Sequence, residues 1–237
     1  MVVTQETNDA GQPIGAALPD WMPRPRPQRV VLRGQYCWLE PLNVEQHADD
    51  LFEAYLDAPN GNDWTYLPTE RFTDREAYRS FAAANVASDD PVHFAILSTA
   101  TGKAVGTASL LRIDPANGSI EVGWIAYSPH IQRTPMGTEA MFLLMRYCMD
   151  DLGYRRYEWK CNALNEPSRL AALRYGFQFE GVFRQAAVVK QRNRDTAWYA
   201  FVDGEWPIIK AAFEQWLDPL NFDVDGQQRR SLSSFRP

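Results

Sequence analysis

The sequence predicts a mixed α/β fold of the α+β kind: a mainly antiparallel sheet of about seven strands with a central βαβ crossover and flanking helices. Three observations predict it. Residues 93–129 hold three strand-like runs, HFAILS, AVGTASLLRI and SIEVGWIAYSP, parted by the short turns TATGK and DPANG, the pattern of an antiparallel meander. Next comes a helix from about Gly137 to Asp151 that stacks Ala140, Leu143, Leu144, Tyr147 and Cys148 on one face, followed by the strand-like YRRYEWKC. Strand, helix and strand then make a right-handed crossover between parallel neighbours. Last, FQFEGVFRQAAVVK and TAWYAFVD flank the turn QRNRD as a hairpin.

The other elements follow in chain order. Residues 1–28 are rich in proline, glycine and small polar residues and end in WMPRPRPQ, whose prolines forbid helix and favour an extended chain. They read as a flexible arm whose Trp21 either docks on the domain or hangs loose. The main domain covers 29–205. It opens with the strand-like VVLRGQYCWLEPL, closed by Pro41, after which Asn43 caps a helix carrying Ala48, Leu51, Phe52 and Tyr55. Beyond the turn-rich APNGNDWTYLPTE, a second helix runs from about Thr73 to Ser88, with Ala77, Tyr78, Phe81, Ala82 and Asn85 at helical spacing. After the crossover, NEPSRLAALRYGF supplies a short helix with Gly176 past its end. Residues 206–237 add a C-terminal helix and a polar tail.

At 237 residues and 45% apolar content the chain supports one well-cored domain. A net charge of −6 supplies no basic field for nucleic acid or an anionic membrane, so neither is expected as a partner. Cys37, Cys148 and Cys161 are odd in number and far apart, which argues against a disulfide framework or a zinc site and for a reducing, cytoplasmic compartment. The N-terminus has neither a basic n-region nor an apolar core, and no run of about 18 apolar residues occurs. His47, His93 and His130 lack metal-ligand spacing, and DVDG at Asp223 lacks the rest of a calcium loop, so no metal is expected. Monomer and homodimer both remain open.

The stretch QRTPMGTEA, residues 132–140, lies between a strand and a helix. A helix N-terminus leaves backbone N–H groups unpaired and carries about half a positive charge, so it stabilises an anion. With Thr134 as cap, Pro135 falls at the first helical position, where its fixed φ suits the helix. Proline removes one donor, but Arg133, Thr134, Met136, Gly137 and Thr138 keep theirs, Gly137 permits close approach, and Arg133 adds a cation. Glu139 brings an opposing charge that also suits the first turn of an unliganded helix. The stretch is readable either as a phosphate cradle or as a well-capped helix start.

From about Phe94 to Asp203 the sequence resembles the GNAT superfamily of acyl-CoA-dependent N-acetyltransferases, especially the branch of ribosomal-protein alanine N-acetyltransferases. The blocks that carry the resemblance are SLLRIDPANGSIEVGWIAYSP, QRTPMGTEA, NEPS at Asn165 to Ser168 and GFQFEG at Gly176 to Gly181; with flanking elements it spans about Arg29 to Trp206. The resemblance implies acetyl-CoA as acyl donor and a GNAT-like sheet. Its pyrophosphate loop is usually Q/R-x-x-G-x-G/A; Gln132 fills the first position and Gly137 the last, while Pro135 replaces the middle glycine. It further implies that the backbone of Ile125 to Tyr127 pairs with the pantetheine arm, and that Asn165 and Ser168 lie beside the thioester.

Acetyl transfer needs a neutral amine, and an α-amine near pKa 8 is far less protonated at neutral pH than a lysine near 10.4. Glu121, on the strand leading into the site, is the candidate base, directly or through water; a salt-bridged strand glutamate is the competing reading. Many family members place a tyrosine acid four residues before the glycine of the GF pair, but that position here is Ala172. Tyr175 reads as packing. Ser168 is then the candidate proton donor, with helix capping as the competing role, and Asn165 either orients CoA or closes a turn. Trp64, Tyr66, Trp124 and Tyr127 either wall an amine pocket or join the core. The expected acceptor is a small-molecule amine or a peptide N-terminus; a non-catalytic acyl-CoA-binding module is the alternative.

Overall fold

The computed structural model describes residues 6–237; the first five residues of the arm lie outside the described residues. The strands are β1 (Glu6–Thr7), β2 (Pro13–Ile14), β3 (Leu32–Arg33), β4 (Cys37–Pro41), β5 (Val92–Ser98), β6 (Ala104–Asp114), β7 (Ser119–Tyr127), β8 (Arg156–Asn162), β9 (Gln178–Val189) and β10 (Arg192–Val202). The helices are α1 (Val44–Leu56), α2 (Arg75–Val86), α3 (Pro135–Arg146), α4 (Glu166–Tyr175) and α5 (Trp206–Leu217). β1 and β2 pair with each other, and the rest form one eight-stranded sheet in the order β3-β4-β5-β6-β7-β8-β10-β9. Its neighbours are antiparallel except β7 and β8, which the α3 crossover joins in parallel. The eighth strand arises because the stretch read as one strand before Pro41 folds back at Gly34 into β3 and β4.

Helix boundaries have local causes. Asn43 caps α1 by accepting from Gln46 N, Asp74 caps α2 from Ala77 N, and Gly176 ends α4 at φ 100°, a conformation only glycine adopts without strain. The sheet is covered on both faces. Phe142, Leu143 and Phe213 of α3 and α5 pack with Ile120, Val122 and Tyr157 on one face, while Leu51, Phe52 and Tyr78 of α1 and α2 pack with Ala95 and Leu97 on the other.

The 21–29 stretch and the C-terminal tail are tied to this body. Trp21 Nε1 donates to Ala116 O at 2.8 Å, and Arg24 and Arg155 lie over its ring at 4.6 and 5.4 Å. Tyr154 donates to Pro25 O, Gln28 N donates to Tyr147 Oη, and Arg29 donates to the last carbonyls of the α2 region. Of the two readings of Trp21, docking is the one found. At the other end Leu232 is fully buried, and Arg236 donates to the carbonyls of Leu173 and Arg174, serving the C-terminal end of α4. No helix of the described residues is long and apolar enough to cross a membrane.

Candidate active site

β7 and β8 run side by side only from Ser119–Arg156 to Val122–Trp159; beyond that register they part, and the β7 edge from Gly123 to Tyr127 has no strand partner on that side. The cause lies in β7 itself. Between Gly123 and Ala126 it carries one residue more than β6, and Trp124 sits at φ 49°. The extra residue reverses the alternation of side chains: Ile120 and Val122 face α3 before the bulge, and Ile125 and Tyr127 face it after. Ala126 consequently faces the α1/α2 side, and Trp124 packs on Phe81 and His93 there.

The loop after β7 ends in a capped helix. Thr134 Oγ1 donates to Ile131 O and accepts from Gly137 N at 3.4 Å, and Pro135 occupies the first helical position as the capping argument requires. Arg133 makes the turn at φ 58°, a left-handed conformation that costs a non-glycine residue about 1 kcal/mol. Among the described residues the N–H groups of Arg133, Thr134 and Met136 have no acceptor, and the exposed Arg133 side chain has no ion pair. Gly137 differs from its expected part. Its N–H is taken by the cap, and its α-carbon faces inward, where a Cβ would stand 2.7 Å from Ile131 O and 3.2 Å from the Tyr127 ring. The loop's own backbone requires this glycine. Thr138 is buried, with its hydroxyl accepting from Arg174.

Two other residues brace the loop. Gln132 donates to Tyr127 O at 2.8 Å, and Tyr127 donates to Gly137 O at 3.0 Å, so the end of β7 and the start of α3 move as one unit. Glu139 turns away from the loop: its carboxylate accepts from Gln35, Tyr36 and Cys37 N at 2.7, 2.7 and 2.8 Å, holding the β3–β4 turn. These three donors compensate its charge, which is directed away from the loop.

Across the gap, β8 leads into α4. Asn165 Oδ1 caps α4 by accepting from Ser168 N at 3.2 Å, and Ser168 Oγ accepts from Trp159 Nε1 at 3.0 Å, which leaves the hydroxyl hydrogen free to donate. Cys161 lies beside Ser168, its thiol pushed up by burial. Because β7 and β8 are parallel, the 128–134 loop and the Asn165/Ser168 corner project from the same end of the sheet. The side of α4 at Ala172 is fully buried and offers no acid.

On the α1/α2 face, Glu121 is 3% exposed and carries two cations: Arg112 Nη1 contacts both oxygens at 2.7 and 2.8 Å, and Lys160 Nζ lies at 2.9 Å. Lys160 in turn reaches Glu158 at 2.7 Å and lies 3.8 Å over the Trp198 ring, and Arg156 links Glu158 to Glu180. Sequence reasoning found Glu121 but missed Lys160; the alternating charges at 156, 158 and 160 were the available signal, since alternate residues share one face of a strand. It also missed His93, whose Nδ1 meets Ser109 Oγ at 2.7 Å and whose pKa burial pulls down to about 4. Of the four aromatics, Trp64 and Trp124 line one cavity with His93, Tyr66 bridges to Leu164 O, and Tyr127 serves the loop. Lys190, at the β9–β10 turn, donates to Trp64 O and pairs with Glu70, closing the 57–74 loop over this face. Among the described residues no group of three or more His, Cys, Asp or Glu is placed to hold a metal ion.

Comparison with known proteins bears on this geometry. Residues 37–178 match the acetyltransferase (GNAT) domain. A solved structure of a GCN5-related N-acetyltransferase from Brucella melitensis is 49% identical, with a TM-score of 0.91 over 92% of this chain and 99% of that one. The ribosomal-protein-serine acetyltransferase of Escherichia coli (strain K12) is 31% identical over 96 residues, 40% of this chain and only about half (53%) of that relative. The fold also matches, at 20% identity and a TM-score of 0.61 over 73% of this chain and 99% of the other, a ribosomal L7/L12 alpha-N-protein acetyltransferase solved in complex with coenzyme A.

Proposed function

The chain belongs to the acetyltransferase (GNAT) domain family, and from that premise we propose that it transfers an acetyl group from acetyl-CoA to a primary amine, the terminal amine of a peptide or protein. One observation carries the reading. At one end of the sheet an unpartnered strand edge meets a capped helix N-terminus with three free N–H groups and an unpaired arginine. An extended arm ending in a diphosphate fits that pair of features: strand-like hydrogen bonding on one side and anion binding on the other. The coenzyme A held by the ribosomal L7/L12 relative supports the donor, and the ribosomal-protein relatives support a polypeptide acceptor.

Bound acetyl-CoA supplies an activated acyl carbon on a thiol leaving group. The N–H groups of Arg133, Thr134 and Met136, with the Arg133 side chain, hold its phosphates. The β7 edge from Gly123 to Tyr127 orients the arm, and an N–H of that edge stabilises charge on the carbonyl oxygen as the amine adds. Asn165 holds α4 so that Ser168 faces the sulfur, where its hydroxyl donates a hydrogen bond to the departing thiolate, which takes its proton from water. Glu121, two residues before the edge opens, accepts the amine proton through water. Arg112 reaches it from solvent with a 61% exposed side chain, so this contact opens at little cost, while buried Lys160 keeps the carboxylate in place. We further read the protein as cytoplasmic, in keeping with its three unpaired, buried cysteines.

The test is thiol release from acetyl-CoA with a peptide panel and a small-amine panel, the products checked by mass. Acetylated peptide N-termini, with turnover cut by about a hundredfold or more in Glu121→Gln while acetyl-CoA still binds, support the assignment. Binding without turnover on any acceptor would mean a non-catalytic acyl-CoA-binding module.

A further inference from the structure

The two cations on Glu121 are held in different ways. Lys160 is buried under the Trp198 ring and lies nearest Oε2, at 2.9 Å. Arg112 Nη1 bridges both oxygens, and among the described residues Oε1 has no other hydrogen-bond partner. That oxygen also lies beside Gly123, where a Cβ would stand 3.5 Å from it. Gly123 is the first residue of the β7 edge that lacks a strand partner. One side of the carboxylate is thus fixed from within the protein, while the other meets the strand gap and is covered by a mostly exposed side chain.

Arg112 reaches this oxygen because β6 is irregular. Strict alternation would put Arg112 beside Leu110, on the face away from Glu121. Leu110 and Ile113 instead both pack in the core on the α3 side, and the two residues between them, Leu111 and Arg112, share the opposite face across a register shift. Arg112 sits at φ 46°, a left-handed conformation unfavourable for any residue but glycine. Asp90 holds it there: its two carboxylate oxygens accept from Arg112 N at 2.8 Å and Ile113 N at 3.1 Å. The backbone is clamped, and the guanidinium beyond it is free to swing into solvent.

We propose that Arg112 is a resident stand-in for the acceptor: the ammonium group of the substrate displaces it from Glu121 Oε1, so that Arg112 and the acceptor compete for one carboxylate oxygen. The inference rests on the reading of Glu121 as the base. An α-amine near pKa 8 arrives mostly protonated at pH 7. Its compact ammonium ion can replace the guanidinium without leaving the buried carboxylate short of a counter-charge, whereas a neutral group cannot. Lys160 keeps the carboxylate aimed during the exchange. Arg112 therefore sets the affinity for the acceptor and selects a cationic head group, through Glu121 and without touching the acyl carbon.

The experiment is an NMR titration at pH 7, without acyl donor, using n-butylamine and a short free-amine peptide, each beside its N-acetylated form. Arg112→Gln should bind the free amines about three- to fivefold more tightly than the native protein, the scale of one exposed ion pair, and should bind the uncharged acetylated forms no better. Arg112→Lys keeps the competing charge and should bind like the native protein. In a Glu121→Gln background Arg112→Gln should bring no gain. Equal affinity of the native protein and Arg112→Gln, binding by neither, an equal gain for the acetylated forms, an equal gain in Arg112→Lys, or a gain that survives Glu121→Gln each overturns the proposal. The base reading fails separately: full turnover in Glu121→Gln removes it and leaves a competition found by titration standing, whereas lost turnover there with no gain in Arg112→Gln removes the competition alone.

Discussion

Replacing Gly137 by alanine separates two explanations of that glycine by the sign of a stability change. If glycine served only to let a ligand approach, alanine would stabilise the unliganded protein by about 0.5–1 kcal/mol, because it is the better helix former and restricts the unfolded chain. The structure predicts the reverse. The new methyl would stand 2.7 Å from Ile131 O and 3.2 Å from the Tyr127 ring, and the first contact is with backbone that Thr134 holds through its bond to Ile131 O. Relieving it moves the loop by about half an ångström, the kind of overpacking that costs about 1–3 kcal/mol. After the helix-propensity gain, a net loss of about 1–2 kcal/mol remains, or about 2–8 °C in Tm for a chain of this length. Thermal unfolding without ligand, backed by urea titration, reads it directly. An unchanged or raised Tm refutes the reasoning.

Other perturbations follow from the same contacts. Glu139→Ala leaves three N–H groups of the β3–β4 turn without their acceptor and should cost about 3 kcal/mol or more in urea unfolding, with Glu139→Gln recovering part of it. Lys160→Met strips the cation from between Glu121 and Glu158 and should destabilise by about 3–5 kcal/mol; adding Glu158→Gln should restore part of this in a double-mutant cycle, and simple additivity would mean that the pair is not coupled. The folded pKa of His93, about 4, lies below the ordinary 6.5, so the unfolded chain takes up the proton first. The stability present above pH 6.5 is therefore lost as pH falls from about 6.5 to 4, by about 3 kcal/mol, and His93→Gln should flatten that part of the stability profile.

Much of this fold is legible in the sequence because local signals and burial agree. The Thr134 cap with Pro135 behind it, the Asn43 cap and Gly176 past α4 are short-range chemistry, and each stands in the structure where its residue type predicts. The β3–β4 turn escaped notice because its stabiliser, Glu139, lies about a hundred residues away along the chain. The bulge at Trp124 left no mark either, since tryptophan at positive φ is held by tertiary packing on Phe81 and His93 and not by preference. Without that bulge, strict alternation would place Trp124 with Ile120 and Val122 on the α3 face. The cavity wall made by Trp124 and Ala126 depends on that register.

The central claim is that the QRTPMGTEA loop binds the phosphates of acetyl-CoA, and a calorimetric titration of the purified protein with acetyl-CoA, beside Arg133→Glu, tests it most directly. Arg133 is exposed and unpaired, so its reversal leaves the fold intact and removes one charge-assisted contact. The account predicts saturable one-to-one binding in the native protein, weakened by about tenfold or more in the variant, with unchanged Tm in the absence of ligand. No binding to the native protein, or equal binding to both, would contradict it.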